Sequence, residues 1–236
     1  MQRGKKYLEA LKRVDIARTY EPAAAIAAAK AASYAGFDET VELHLRMGLD
    51  PRHADQQVRG VAILPHGLGR QVRILVFTQG EGARIAEEAG ADHVGSDDLI
   101  QRIEGGWLEF DVALATPEVM AKIGRLGRII GRRGLMPNPR TGTVVQPQDL
   151  PRVINEARKG RVEFRLDRTG IIHVPIGKLS FADEPLLENM ATVVDAVVRA
   201  KPTGAKGQYV RSATIASTMG PGVRVDLPTV LALKVA

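Results

Sequence analysis

The order of hydrophobic patterns along the chain constrains its fold more than any other feature. Residues 72–123 alternate short apolar runs with segments of helical spacing. This order predicts a parallel sheet covered by helices on both faces. The flanking segments 40–46 and 161–166 instead alternate strictly between apolar and polar residues, which predicts half-buried strands with one polar face. The chain therefore combines an α/β middle with strand-rich ends.

Local signals place further elements in both parts. The spacing predicts helices over 5–19 and 22–35, the second beginning at Pro22 and capped by Gly36, and Thr116 is expected to cap a helix running through Ile123. The turn sequence 167–170 predicts that 161–166 and 171–174 form a hairpin. The remaining predicted elements are strands near 61–65, 72–77, 91–94, 111–115, 209–219 and 223–225, and helices near 83–89, 97–103 and 186–198.

Composition excludes several classes of protein. The chain has 236 residues and no cysteine, which excludes disulfides, thiolate metal sites and a cysteine nucleophile. No apolar run reaches the roughly 18 residues of a membrane helix, and the basic start lacks the apolar run of a secretory signal. We therefore expect a cytoplasmic protein without a membrane partner.

Charge is distributed unevenly along the chain. The formal net charge is +6, but residues 66–119 carry ten acidic and four basic residues, whereas 120–158 carry two acidic and eight basic residues. The whole net charge falls on the two end segments. Basic tracts favour a polyanionic partner such as nucleic acid, and two solvated faces that neutralise each other are the alternative.

No catalytic or metal-binding motif is present. No two of the five histidines are three or four residues apart, and the phosphate-loop lysine, nucleophile-elbow and zinc-protease motifs are missing. Gly67-Leu68-Gly69 precedes a strand and is interpreted as a turn rather than a dinucleotide loop. We expect no cofactor and no metal. A nucleotide-using enzyme built on the α/β part and a protein-binding scaffold using the acidic segment 81–118 are the alternatives.

Two further segments carry candidate nucleic-acid contacts. Residues 124–134 interleave arginines with glycines, which suits phosphate binding with close backbone approach, although a solvated surface loop has the same composition. Residues 217–222 place small hydroxyls, a methionine and glycines at the end of a strand, where they can lie against a sugar–phosphate backbone. A core methionine followed by a turn is the alternative interpretation of the second segment.

Several motifs in a fixed order carry a resemblance to a known family. The chain resembles the large ribosomal subunit protein one family, the L-one family of the ribosomal stalk, in its bacterial form, over nearly its whole length. The motifs are FDETVEL at 37–43, LPHGLG at 64–69, EAGAD at 88–92, LGR at 126–128, GLMPNP at 134–139, HVPIGK at 173–178, KPTGAKG at 201–207 and TMGP at 218–221.

The resemblance implies a mixed α/β and α+β fold with two domains. Residues 1–67 and 159–236 would form a split α+β sandwich that binds RNA, and residues 68–158 a Rossmann-like insertion. It also implies a structural, non-enzymatic protein that binds large-subunit rRNA at the mobile lateral stalk and assists release of exit-site tRNA. It further implies that the chain represses translation of its own operon mRNA. We expect a free monomer with other large-subunit proteins as further partners.

The resemblance also assigns candidate RNA contacts. The predicted RNA-binding residues are Phe37, Thr40, Arg165, Asp167, His173, Lys178, Lys206, Arg211, Ser212, Ser217, Thr218, Met219 and Gly220, with Lys206 and Arg211 chosen for their charge. The arginine tract is a candidate second RNA surface, formed by Arg125, Arg128, Arg132, Arg133 and Arg140.

Two positions and the C-terminal tail depart from the family pattern. Arg132 stands where proline is usual, which adds a charge, and Gly36 stands where lysine is common, which removes a candidate phosphate contact. The hydrophobic tail 228–236 extends past the usual end, and the sequence assigns it no role.

Overall fold

The computed structural model describes residues 4–233, apart from the side chain of Arg140. These residues divide into two compact units. Unit 1 takes both ends of the chain, up to Gly69 and from Gly160 onward, and unit 2 is Arg70–Lys159. The basic first three residues, the end of the hydrophobic tail and the Arg140 side chain lie outside the described part of the chain.

The elements are numbered in chain order. The strands are β1 Thr40–Met47, β2 Arg59–Ile63, β3 Ile74–Phe77, β4 His93–Gly95, β5 Val112–Ala115, β6 Arg161–Arg165, β7 Ile171–Lys178, β8 Val210–Ser217 and β9 Val223–Val225. The helices are α1 Lys5–Leu11, α2 Pro22–Ala31, α3 Glu81–Glu88, α4 Asp97–Glu104, α5 Met120–Ile123, α6 Gly127–Ile130, α7 Leu150–Arg158, α8 Asp183–Arg199 and α9 Leu227–Leu231.

Unit 1 is built on a four-stranded antiparallel sheet in the order β7-β1-β8-β9. The alternation of β1 buries Val41, Leu43 and Leu45 on one face, where they share a hydrophobic core with residues of α2 and α8. The opposite face carries the polar residues of β1 and is partly exposed. A separate pair, β2 and β6, forms a two-stranded antiparallel sheet.

Unit 2 contains a parallel sheet in the order β4-β3-β5. All four residues of β3 are buried, because apolar clusters pack on both faces of the sheet. Leu75 and Phe77 join one cluster, and Ile74 and Val76 join the other. The predicted fold class, an antiparallel sheet combined with a separate parallel α/β sheet, is confirmed.

The predicted hairpin between 161–166 and 171–174 is wrong in its pairing. β6 pairs with β2, and β7 pairs with β1 in the larger sheet. A bridge between Leu166 and Ile172 is what remains of the hairpin next to the turn. The alternating pattern identified both strands, but it carries no information about distant partners, and β2 supplied one for β6.

The first two predicted helices end earlier than expected. α1 stops at Leu11 rather than continuing to residue 19, and the N–H groups of residues 12–14 bond to carbonyls three residues back. The Asp15 carboxylate then accepts a hydrogen bond from the Ala17 N–H in a local turn. α2 begins at Pro22 as predicted but ends at Ala31, and Gly36 is not its cap. The residues that would have extended α2 make different hydrogen bonds, described below.

The helix predicted after Thr116 is broken into short turns. Thr116 makes no capping hydrogen bond, and its hydroxyl is buried without a hydrogen-bond partner. A 3₁₀ turn at Pro117–Val119 leads into α5, and the arginine tract continues through further short helical turns to Gly134, whose φ is +73°. The glycine-rich tract is therefore helical rather than an extended loop.

The hydrophobic tail starts as a short helix. The Asp226 carboxylate accepts hydrogen bonds from the Thr229 N–H at 3.2 Å and the Thr229 hydroxyl at 2.6 Å, which caps α9. Val230 is fully buried in the core of unit 1, and Leu227 and Leu233 pack against it. The described part of the tail thus has a packing role.

Candidate nucleic-acid interface

The turn that follows β8 is tied to the start of β1 by a single threonine. The Thr218 hydroxyl accepts a hydrogen bond from the Thr40 N–H at 3.0 Å and donates to the Thr40 carbonyl at 3.3 Å. Within the turn, the Gly220 N–H donates to the Ser217 carbonyl at 3.1 Å. A β-carbon on Gly220 would lie 2.4 Å from the Ser217 hydroxyl oxygen, so a larger residue at 220 would require Ser217 to shift. We call residues 217–220 the TMG turn.

A buried carboxylate joins the TMG turn to the segment after α2. Glu39 is fully buried, and its Oε1 accepts hydrogen bonds from the Ser33 hydroxyl at 2.6 Å and the Ala35 N–H at 3.3 Å. Its Oε2 accepts from the Met219 N–H at 2.8 Å. Burial raises the pKa of this carboxyl, but the hydrogen bonds outweigh burial and hold the pKa of Glu39 below its usual value. Glu39 is therefore ionised at neutral pH.

Two large apolar side chains remain exposed around this network. Phe37 is 57% exposed and Met219 is 48% exposed. The backbone that carries Met219 is fixed a second time, because the Tyr34 hydroxyl donates to the Met219 carbonyl at 2.8 Å. Exposed apolar side chains on a fixed backbone suit contact with ribose or a base face.

Lys178, at the end of β7, braces the segment before β1. Its Nζ donates to the Thr40 hydroxyl at 2.9 Å and to the Asp38 carbonyl at 3.2 Å. The Asp38 carboxylate in turn accepts from the Ser180 N–H at 3.1 Å and the Ser180 hydroxyl at 2.7 Å. Two of the three N–H donors of the Lys178 ammonium group are therefore directed to the segment before β1.

The structure thus brings together six of the predicted contacts, which are Phe37, Thr40, Lys178, Thr218, Met219 and Gly220. Ser217 is only 4% exposed and lies beneath the turn rather than on the surface. Its placement suits support of the turn.

Ser212, another predicted contact on unit 1, lies near the opposite end of the larger sheet. Ser212 pairs with Arg46, near the far end of β1 from Thr40. At about 3.3 Å per residue, the two ends are separated by about 20 Å. Lys206 and Arg211 line a cleft of about 530 Å³ beside residues 48–56.

A neighbouring cleft of about 550 Å³ is lined by Arg165, Asp167 and Arg168. The Asp167 carboxylate accepts hydrogen bonds from the Thr169 N–H, the Thr169 hydroxyl and the Ile171 N–H, at 2.8, 2.6 and 2.7 Å. Burial opposes ionisation, but these hydrogen bonds dominate and lower the pKa of Asp167. Asp167 therefore orders the turn before β7, where His173 lies opposite His44 in the β1–β7 register.

The arginine tract lies in unit 2, in a segment that buries apolar residues and exposes arginines. Arg125, Arg128, Arg132 and Arg133 are exposed, while Leu126 and Ile130 of the same segment are buried. Arg125 Nε lies 3.2 Å from Glu104 Oε1, so part of its charge is neutralised. The Arg140 side chain is outside the described part of the structure.

Three residues that the sequence did not single out take part in these arrangements. Glu39 and Tyr34 hold the Met219 peptide, and His44 contacts His173. Glu39 stands inside a matched motif, but its burial depends on a non-local contact with the TMG turn.

No helix among residues 4–233 is long and apolar enough to cross a membrane. Within the same described residues, no group of three or more histidine, aspartate or glutamate side chains is arranged to hold a metal ion.

Comparison with known proteins identifies the family. The model of the Ribosomal protein L1p/L10e family matches residues 29–221. The chain belongs to this family. It is 62% identical over 230 residues to the large ribosomal subunit protein uL1 of Dehalococcoides mccartyi, covering 98% of this chain and 97% of that relative. The match to the protein of the same name from Thermomicrobium roseum is 63% identical over 227 residues, covering 96% and 94%. The Chloroflexus aggregans protein is 60% identical over 232 residues, covering 98% of each chain.

Membership of the L1p/L10e family confirms the resemblance carried by the sequence motifs. It makes the chain a ribosomal protein and not an enzyme. The alternative of a nucleotide-using enzyme is therefore set aside.

Proposed function

We propose that the chain is a structural protein of the large subunit of cytoplasmic ribosomes and binds large-subunit rRNA through the TMG turn and residues 37–40 of unit 1. The observation that carries this proposal is the fixed Met219 peptide, with the side chains of Met219 and Phe37 exposed around it. A fixed backbone presents these groups in one arrangement, which suits recognition of RNA shape and 2′-hydroxyl groups.

Charge supports the assignment of RNA binding to unit 1. By the structural boundaries, unit 1 carries twenty basic and fifteen acidic residues, and unit 2 carries thirteen and twelve. Phosphate contacts supply most of the affinity, whereas the fixed turn supplies specificity. In this proposal Arg165, Lys178, Lys206 and Arg211 contact phosphates, and Asp167, His173, Ser212 and Ser217 shape the surface.

The proposal extends to the position of the protein on the ribosome. Members of the family form the mobile lateral stalk, so we place the RNA site there, with exit-site tRNA as a second partner. The same RNA surface would bind the chain's own operon mRNA and repress its translation. The free protein would be a monomer, and other large-subunit proteins would be neighbours on the ribosome.

Gel-shift titration tests the proposal. The probes are a transcript of the stalk region of the large-subunit rRNA and an unrelated RNA of equal length, each at two salt concentrations. If the chain recognises the stalk RNA specifically, it should bind the stalk transcript more tightly than the unrelated RNA at both salt concentrations. Equal affinity for both RNAs would contradict it, and association with ribosomal proteins that survives nuclease treatment would favour the protein-scaffold alternative.

The arginine tract of unit 2 is proposed as a second RNA surface, with tRNA as its partner. Arg128 and Arg132 are exposed, and their replacement by alanine changes no buried contact. If the tract binds tRNA, the double variant weakens tRNA binding and leaves binding of the stalk transcript unchanged. Unchanged tRNA binding would remove the tract from the proposal.

A further inference from the structure

The peptide groups that flank the Met219 α-carbon are held from two sides. The Met219 N–H donates to Glu39 Oε2 at 2.8 Å, and the Met219 carbonyl accepts from the Tyr34 hydroxyl at 2.8 Å. Both partners come from residues 34–39, far from Met219 in sequence. The two hydrogen bonds together fix the direction in which the Met219 side chain leaves the turn.

The burial of Glu39 argues against a direct RNA contact. Its side chain has no exposed surface, and its two oxygens already accept three hydrogen bonds from Ser33, Ala35 and Met219. A carboxylate beside an RNA surface repels phosphates, so electrostatics alone would disfavour glutamate here. The Glu39 carboxylate instead accepts hydrogen bonds from two segments at once. A neutral side chain of the same shape cannot accept all of them.

We propose that Glu39 and Tyr34 are positioning residues that set the specificity of RNA binding by fixing the Met219 peptide before RNA arrives. The proposal rests on the proposed role of the TMG turn in RNA binding. A turn that is already ordered loses little conformational entropy when RNA binds. A mobile turn would lose that entropy in each specific complex, which would weaken binding. Non-specific binding through phosphates does not need the turn and is not affected.

Glutamine at position 39 separates positioning from charge. A glutamine side chain has one acceptor oxygen and one NH₂ group. If the oxygen stays with Ser33 and Ala35, the NH₂ group faces the Met219 N–H, and two donors meet. Loss of a negative charge alone would strengthen RNA binding, whereas loss of positioning weakens it. The direction of the change therefore discriminates between the two roles.

The experiment measures dissociation constants for the stalk transcript and the unrelated RNA at several salt concentrations. The full-length variants are Glu39→Gln and Tyr34→Phe, with Glu87→Gln and Tyr20→Phe as matched controls. Glu87 is exposed on α3 of unit 2, and the Tyr20 hydroxyl accepts from Asp15 N–H away from the TMG turn. Met219→Ala is included because it tests the proposed function itself.

The expected result for each of Glu39→Gln and Tyr34→Phe is a loss of about tenfold in affinity for the stalk transcript, comparable to one lost hydrogen bond. Their affinity for the unrelated RNA and the slope against salt concentration should match wild type, as should all values for the two controls. Tyr34→Phe removes one oxygen from a side chain that is not part of the core, so it tests the proposal even if Glu39→Gln fails to fold.

Three outcomes would overturn the positioning role. They are wild-type binding by Tyr34→Phe, tighter binding by Glu39→Gln, and equal losses for both RNAs. If Met219→Ala weakens binding but Tyr34→Phe does not, positioning fails and the proposed function stands. If Met219→Ala binds like wild type, the proposed RNA site itself is wrong.

Discussion

His44 and His173 face each other across β1 and β7, with their Nδ1 atoms 2.8 Å apart. A hydrogen bond between two such atoms requires one protonated and one unprotonated Nδ1. His173 Nε2 lies 3.6 Å from Asp167 Oδ2, and His44 Nε2 lies 3.9 Å from Glu42 Oε2. The pair therefore cannot carry a proton on both Nδ1 atoms without breaking the hydrogen bond between the two histidines.

This pair predicts a pH-dependent stability. Burial lowers the pKa of His44 below its ordinary 6.5, with a further contribution from His173. The unfolded chain therefore binds more protons at His44 than the folded chain does as pH falls through this range. Stability contributed by neutral His44 is complete above about pH 6.5 and declines below it.

Urea unfolding between pH 7.5 and pH 5 (about one unit above and one and a half units below the ordinary histidine pKa) measures the effect. Wild type should lose more free energy of unfolding across this interval than His44→Gln, which cannot titrate. His53→Gln is the control, because His53 is an exposed loop residue whose side chain is 64% exposed. Identical pH dependence in wild type and His44→Gln would contradict the prediction.

Two glycines meet where the chain leaves and re-enters unit 1. A β-carbon on Gly160 would lie 2.4 Å from the Gly67 α-carbon, and Gly160 has a φ of +102°. We expect Gly160→Ala to lower the free energy of unfolding by at least about 2 kcal/mol, from strain and steric overlap together. Gly124→Ala is the matched control, since Gly124 is helical and has open space around it. Equal stability of the two variants, measured by urea denaturation, would show that the close approach is not required.

Arg165 gives a prediction about salt dependence. Arg165 is exposed at the end of β6 and lines a cleft with Arg168. If it contacts one phosphate, Arg165→Ala should reduce the slope of log affinity against log salt by about one unit. The ratio of affinities for the stalk transcript and the unrelated RNA should stay near its wild-type value. An unchanged slope would remove Arg165 from the phosphate contacts.

Local sequence patterns predicted an element correctly where short-range interactions determine it. The alternation of 40–46 corresponds to β1, and the acidic start of 97–103 corresponds to α4. The hairpin failed because β6 found β2 as a partner, and α2 was predicted too long because Glu39 binds Ser33 and Ala35. Only the first error has a non-local cause, because Glu39 lies just six and four residues from Ser33 and Ala35.

The candidate site also combines features that the sequence reveals with features that depend on long-range contacts. Motif resemblance singled out Thr218 and Met219, and the structure shows both held in a fixed turn. Glu39 and Tyr34 were missed as contributors because their role exists only once β1 and β8 are paired. Residues that hold a site in place are harder to find from sequence than residues that form its surface, because their hydrogen bonds are made within the protein.

The most direct test of the account is the dissociation constant of the double variant Thr218→Ala, Met219→Ala with the stalk transcript. Loss of the Thr218 hydroxyl and the Met219 side chain should weaken the specific complex by about 1–3 kcal/mol per lost contact. Far-ultraviolet circular dichroism should remain that of wild type, because Met219 is exposed and Thr218 lies in a surface turn. A folded double variant that binds the stalk transcript with wild-type affinity would contradict the central claim that the TMG turn forms the RNA site.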